Sequence, residues 1–227
     1  TKIHRLRGWS YSRVSQYSTR LALFGGTFNP VHNGHLSLAQ AVAQQFSLDS
    51  VAFVPCYQPV HRENPNTSVA QRKTLIQLAI QPYPKLQLDS CEIDRAEPSY
   101  TYDTLRQKKK AQPHQVLYWI MGADSFNSLM SWKNPLGILD LAHLIVCSRP
   151  DSAIDPSIFP HHHLKHADEL LDQTAGKICF YEELSNPCSS SKIRSQFSAT
   201  DSKDTNILKR CLPVPVLNFI QQHKLYE

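Results

Sequence analysis

The sequence predicts an α/β fold: a doubly wound parallel sheet with helices on both faces, in a single domain. Three observations predict it. From residue 20 onward, short apolar runs alternate with segments of helical period. The first apolar run ends in a glycine pair and passes directly into a helical pattern. No repeat, low-complexity block or internal boundary interrupts the alternation. Strands interleaved with helices imply parallel βαβ units, because a parallel return needs a crossover and a helix supplies it.

Strands are predicted at 21–24, 51–55, 86–89, 116–121, 143–148 and 178–181, where apolar and β-branched residues run together. Helices are predicted at 35–46, 69–81, 101–111, 123–131, 164–173, 190–199, 204–210 and 214–223. In the first of these, apolar residues recur at 38, 39, 42, 43 and 46, one face of a 3.6-residue period. Ser68 followed by Gln71 reads as a capping box opening the second. In such sheets ligands bind beyond the carboxyl ends of the strands, near a topological switch point. The Gly25-Gly26 turn, the loop after Pro55, Gly122-Ala123-Asp124 and the segment after Tyr181 are therefore expected on one rim.

Composition narrows the function class. The chain has 227 residues, enough for one domain with a good core, and no apolar run approaches a membrane span. Its net charge of +5 is a local effect. Lys2, Arg5, Arg7, Arg13 and Arg20 account for five of the 24 basic residues, leaving 19 against 19 acidic ones. A neutral domain gives no case for nucleic-acid binding. Residues 1–19 are basic, serine-rich and acid-free, and lack the apolar stretch of a secretory signal. That character is like an organelle transit peptide, and equally like an unrelated extension. We read it as disordered and non-catalytic, with the domain spanning 20–227. The six cysteines are scattered without a Cys-x-x-Cys pair, so the expectation is buried free thiols in a reducing cytoplasm.

The chemistry concentrates in residues 25–35, Gly-Gly-Thr-Phe-Asn-Pro-Val-His-Asn-Gly-His. Gly25 and Gly26 allow a sharp turn and close approach of a ligand. A helix N-terminus offers unpaired N–H groups and partial positive charge, which suit an anion. His32 and His35 are three apart, so a helix begun by His32 puts both rings on one side. Imidazoles there can donate to phosphate oxygens. The patterns GxGxxG and GxxxxGK[ST] are absent. His-x-x-His could suggest zinc, but no third and fourth ligands stand at metal-site spacing. The run His161-His162-His163 with His166 reads as solvated surface, since adjacent side chains point apart.

The segment 25–35 resembles the signature of the HxGH nucleotidyltransferase superfamily. Further segments narrow the resemblance to bacterial-type nicotinate-nucleotide adenylyltransferases, with a Rossmann-like sheet. By that resemblance His32, His35 and Arg194 are catalytic. Gly25, Gly26, Thr27 and Phe28 belong to the ATP site. Pro59-Val60-His61-Arg62 is similar to the family's Pro-Pro-His-Lys/Arg element, which implies that His61 and Arg62 approach phosphate. Val60 departs from the second proline, and Cys56 stands where asparagine is common. Pro98-Ser99-Tyr100-Thr101 resembles the pyridine-nucleotide element, which implies that Thr101 lies near the nicotinate carboxylate. Gly122 and Asp124 match a Gly-x-Asp that contacts the ATP ribose, although Asp124 alone reads as a helix N-cap. Trp132 is implied to stack on the pyridine ring, and Lys133 to meet the carboxylate through its backbone. Arg149 of Arg149-Pro150 is implied to touch the nucleotide.

Cys188-Ser189-Ser190-Ser191-Lys192-Ile193-Arg194 resembles the family's Ile-Ser-Ser-Thr-x-Ile-Arg phosphate clamp, with Cys188 for the apolar residue and Ser191 for threonine. Two cations in a first helical turn oppose the helix dipole, which makes sense where an anion sits. Ser190, Ser191 and Arg194 are thus expected on ATP phosphates.

The implied reaction joins nicotinate mononucleotide to the AMP part of ATP, with Mg²⁺ carried by the ATP phosphates and no protein metal ligands. The implied partners are those two nucleotides, with no nucleic acid and no membrane, in the cytoplasm. Oligomeric state stays open. The alternatives are a sister enzyme such as pantetheine-phosphate adenylyltransferase, which shares the first motif, or a nucleotide-binding module without turnover.

Overall fold

The computed structural model describes residues 19–58, 65, 67–148, 152–164, 173–182, 186–199 and 204–227. Six strands form one sheet: β1 (Arg20–Gly26), β2 (Ser50–Pro55), β3 (Leu86–Leu88), β4 (Val116–Gly122), β5 (His143–Ser148) and β6 (Ile178–Glu182). Their order is β3-β2-β1-β4-β5-β6, and every pairing is parallel. The described helices are α1 (Asn33–Gln45), α2 (Val69–Ile80), α3 (Cys91–Arg95), α4 (Thr101–Ala111), α5 (Ala123–Asn127), α6 (Pro135–Leu141), α7 (Ser190–Ser198), α8 (Thr205–Cys211) and α9 (Val214–Gln222). The doubly wound sheet expected from the alternation is present. The chain order reverses between β1 and β4, so the switch point lies at their carboxyl ends.

Alternate side chains of each strand feed two cores. On β1, Ala22 and Phe24 face one core, where α1, α2, α7, α8 and α9 pack. Leu21 and Leu23 face the other, beneath α4, α5 and α6. Trp119 of β4 belongs to this second core and Tyr118 to the first. Among the described residues no helix is long and apolar enough to cross a membrane.

The structure corrects several expectations. The helix expected over 123–131 breaks at Ser128 into α5 and a 3₁₀ turn, Leu129–Ser131. α3 and α6 were not expected. α6 starts at Pro135 behind Asn134, whose side chain accepts from the Gly137 N–H; the Asn-Pro pair looks like a turn in sequence. Most of the helix expected at 164–173 and nearly all of the extension 1–19 lie outside the described residues. The capping box is present: Gln71 N donates to Ser68 Oγ at 3.1 Å, and Ser68 N to Gln71 Oε1 at 2.8 Å.

The cysteine expectation holds for four residues and fails for two. Cys56, Cys91, Cys147 and Cys179 are buried and outside any disulfide. Cys188 and Cys211 form a disulfide that ties the start of α7 to the end of α8. Spacing alone hid this pair, because its partners meet only through tertiary packing. The bond closes a sequence separation of 23 residues, so its removal is expected to cost about 3 kcal/mol of stability. Calorimetry with and without reductant should show Tm falling by about 10 °C.

His143 supplies a pH-dependent contribution. It is fully buried in β5, where its Nδ1 accepts from the Lys177 N–H at 3.2 Å and its Nε2 faces the Gln173 carbonyl at 3.0 Å. Burial pushes its pKa down to about 4. The unfolded chain takes up this proton near its ordinary 6.5, the folded chain only near 4. Stability from this group is therefore complete above about 6.5 and lost as pH falls toward 4. About 3 kcal/mol is at stake. Urea unfolding across that range should show the loss, and His143→Gln should abolish its dependence on pH.

Candidate active site

The site grows from the carboxyl end of β1. Gly25 and Gly26 are the last residues of that strand and not a turn outside it. Their small size answers to packing: a Cβ on Gly25 would lie 2.4 Å from the Trp119 indole, and one on Gly26 would lie 3.0 Å from the Phe28 ring. The chain turns at Phe28, which is buried at φ 47°. The Asn29–Pro30 peptide that follows is cis. Thr27 is half-buried, and its carbonyl accepts from Arg72 Nη1 at 3.0 Å.

α1 begins behind this loop with His32 as its N-cap. The His32 N–H donates to His35 Nδ1 at 3.2 Å. A neutral His35 then carries its proton on Nε2, assigned from this hydrogen bond. The two rings stack at 3.7 Å, so both stand on one side as the spacing requires. Phe24 and Phe28 pack edge-on against His35 at 5.9 and 5.1 Å. Gly34 is small because His32 lies over it: a Cβ would meet that ring at 3.0 Å.

The serine–arginine segment is bonded to the loop that precedes the histidines. Ser189 caps α7 by accepting from the Lys192 N–H at 3.3 Å. Ser190 Oγ donates to the Pro30 carbonyl at 2.9 Å, and Arg194 Nη1 to the Asn29 carbonyl at 2.7 Å. The N-terminal ends of α1 and α7 thus meet at Asn29–Pro30. Ser191 is exposed, its Oγ 3.3 Å from that of Ser189. No acid lies in the first turn of either helix. Hydroxyls, imidazoles, a guanidinium and two helix dipoles therefore converge, which is chemistry for binding anionic oxygens.

Sequence reasoning missed Arg72. It is fully buried, and its guanidinium also donates to the Tyr57 carbonyl at 3.3 Å. It shares the helical stripe of Leu75, Ile76 and Ala79, at i, i+3, i+4 and i+7. A cation on a core-facing stripe was the available signal. Cys56, the departure from asparagine, fits between Arg72 and Thr27: its thiol donates to Thr27 Oγ1 at 3.7 Å and receives Arg72 Nη1 at 3.9 Å. Burial pushes this thiol's pKa up.

The other wall starts at the end of β4. β1 and β4 pair with Phe24 opposite Ile120, so Gly26 and Gly122 each lie two residues beyond that pair. A Cβ on Gly122 would meet nothing within 4 Å, so there is open space at this strand end. Asp124 is exposed in the first turn of α5, and Gly122 is the N-cap. The capping reading of Asp124 is thus overturned, because the helix starts one residue before it.

Ser99 accepts from the Tyr57 N–H at 3.0 Å, joining the β2 loop to the start of α4. Thr101 is half-buried at the first position of that helix. Lys133 Nζ pairs with Asp103 at 2.6 Å and lies over the Tyr100 ring at 4.9 Å. Trp132 is half-buried, and its indole N–H donates to Ser128 Oγ at 3.3 Å. Thr101, Trp132 and Lys133 therefore share one corner, formed by α4 and the 3₁₀ turn.

His61, Arg62 and Arg149 lie outside the described residues, as do Val60 and His166. The surface reading of the histidine run holds for exposed His161 only. His162 Nδ1 lies 2.7 Å from the Gly176 carbonyl and His163 Nε2 2.8 Å from that of Ile158, so these rings are structural. Among the described residues no group of three or more His, Cys, Asp or Glu could hold a metal ion.

The chain is similar to known proteins along most of its length. The cytidylyltransferase-like family model matches residues 23–196. A protein of Cronobacter sakazakii named probable nicotinate-nucleotide adenylyltransferase is 37% identical over 213 residues, covering 91% of this chain and 95% of its own. One so named from Hydrogenovibrio crunogenus is 35% identical over 217 residues, covering 93% and 100%. The fold also matches Plasmodium falciparum nicotinic acid mononucleotide adenylyltransferase complexed with NaAD, with TM-score 0.72 at 20% identity over 92% of this chain and 97% of that one. The same Plasmodium enzyme complexed with APC matches with TM-score 0.70. Motif, sheet order and relatedness over nine-tenths of its length together show that this chain belongs to the nicotinate-nucleotide adenylyltransferase family of nucleotidyltransferases.

Proposed function

We propose that this chain transfers the AMP part of ATP to nicotinate mononucleotide, giving nicotinate adenine dinucleotide and pyrophosphate. The observation that carries the mechanism is the junction of two helix N-termini at Asn29–Pro30, which gathers His32, His35, Ser190 and Arg194. The mononucleotide phosphate oxygen attacks the α-phosphorus in line, and the bond from that phosphorus to the bridging oxygen breaks. A phosphate oxygen is already a competent nucleophile, so no protein base is needed. Positioning and stabilisation of charge supply the rate.

The His35 Nε2–H and the remaining guanidinium N–H groups of Arg194 are the donors we assign to the phosphates, with Ser190 and Ser191 beside them. Gly25, Gly26, Thr27 and Phe28 shape the floor under ATP. Gly122 and Asp124 receive the ribose, and Arg149 adds a nucleotide contact. Thr101, Trp132 and Lys133 take the pyridine carboxylate and ring, with His61 and Arg62 toward the mononucleotide phosphate.

The donor set fits a metal carried by the substrate: the junction of α1 and α7 gathers donors for anionic oxygens, and neither helix has an acid in its first turn. Mg²⁺ would be held by ATP oxygens and would neutralise charge on the departing pyrophosphate. We assign the domain to residues 20–227, with 1–19 outside catalysis. We place the enzyme in the cytoplasm: four buried cysteines outside any disulfide suit a reducing compartment, and the Cys188–Cys211 bridge is the one feature that runs against it.

The test is direct. Purified protein with ATP, Mg²⁺ and nicotinate mononucleotide should release pyrophosphate and form the dinucleotide. Parallel reactions with nicotinamide mononucleotide and phosphopantetheine should run slower. No product from the acid form would overturn the reading.

A further inference from the structure

Asn29 sits within the first motif but is more than part of its turn. Its backbone carbonyl holds Arg194 Nη1 at 2.7 Å. Its side-chain oxygen accepts two hydrogen bonds, from Thr67 Oγ1 at 2.7 Å and from the Tyr226 hydroxyl at 2.8 Å. An amide oxygen has two lone pairs, so both are used and the side chain has one orientation. The residue is buried, which makes those bonds costly to lose.

Tyr226 reaches this point from the segment after α9, across a sequence separation of 197 residues. It is also fixed to the far end of α7. Its ring lies 6.1 Å from that of Phe197, and its carbonyl accepts from Ser198 Oγ at 2.8 Å. Its backbone is held at φ 72°, a conformation that a tyrosine adopts only when its surroundings impose it. Arg194 leaves α7 one turn before Ser198, so Tyr226 spans between the helix that carries the arginine and the loop that receives it. Phenylalanine would pack equally well against Phe197. The hydroxyl is what differs, and its bond goes to the loop of the phosphate site. Burial pushes the phenol up to about 12, so it stays a donor at any working pH.

We propose that Tyr226 is a positioning residue for adenylyl transfer: its hydroxyl fixes Asn29, and Asn29 holds the Arg194 guanidinium in place over the phosphates. This rests on the reading of Arg194 as the phosphate clamp. None of the motifs read from the sequence contains Tyr226, and its hydroxyl bears on the site through its bond to Asn29.

The test is Tyr226→Phe in the full chain, alone and combined with Arg194→Ala. Asn29 keeps its bond from Thr67 in the variant, so no buried acceptor is orphaned and folding should survive. The loss of one well-placed hydrogen bond is expected to lower kcat by about tenfold. The KM for nicotinate mononucleotide should change less than about twofold and Tm by less than about 3 °C. In the Arg194→Ala background the same substitution should lower kcat by less than about twofold, because the group it positions is gone. An unchanged kcat in Tyr226→Phe overturns the proposal. An equal loss in both backgrounds also overturns it, showing a merely structural role. Full activity of Arg194→Ala alone overturns the clamp reading itself, a different outcome from either.

Discussion

Arg194→Ala is expected to lower kcat/KM by about 10³-fold, the scale on which a guanidinium contributes to phosphoryl transfer. The geometry explains why so large an effect is expected from a half-buried surface residue. One of its N–H groups is committed to the Asn29 carbonyl at 2.7 Å, so the guanidinium is held before ATP arrives. Ordering a long side chain during the reaction would otherwise reduce its value. Two helix N-termini point at the same place, so the arginine adds to an existing positive potential. Lysine should not restore the rate, because an ammonium cannot hold a carbonyl and a phosphate with one rigid fork. Steady-state pyrophosphate release measures this. A value within threefold of the parent for Arg194→Ala would remove the residue from the mechanism.

His35 is expected to show the second largest effect, about 10²-fold in kcat for His35→Ala. This residue has two tasks that one substitution confounds. Its Nδ1 accepts from the His32 N–H and closes the start of α1. Its Nε2 proton is the donor assigned to phosphate. Glutamine separates the tasks, since a glutamine three residues past the N-cap is a normal capping partner. His35→Gln should therefore keep Tm near the parent, while His35→Ala also loses about 1 kcal/mol of helix stability. Both should be slow. A glutamine variant with the parent's kcat would show that His35 serves the helix and not the chemistry.

The sheet was legible because β1, β2, β4 and β5 are apolar runs that stand out and the longer helices between the strands keep their period. α3 and α6 were not, because five and seven residues give too little period to read. Local motifs pointed to the histidine and serine–arginine segments, yet the bonds that join the two were hidden. Nothing near Arg194 in sequence says that its guanidinium meets Asn29, 165 residues away. Arg72 drew no attention, because the loop carbonyls of Thr27 and Tyr57 that its Nη atoms reach come from elsewhere in the chain. Asp124 looked like a cap because Asp often is one; the structure starts the helix at Ala123 instead. Gly25 looked like a turn, and its reason is the Trp119 ring from the neighbouring strand. For Arg194, Arg72 and Gly25 the missing piece is a contact between residues distant in sequence, which periodicity does not encode.

The Asn29–Pro30 junction also bears on the order in which the protein becomes competent. Its partners come from Thr67, Ser190, Arg194 and Tyr226, so the loop made first is completed by segments made last. During synthesis, at roughly 5–20 residues per second, a chain that has emerged through β4 can pair its central strands. It still lacks the arginine and the tyrosine. Such long-range closures are slow steps in folding. On dilution from denaturant, far-ultraviolet circular dichroism should therefore recover before activity does, and the delay would time the docking of α7 and the Tyr226 segment onto the finished sheet.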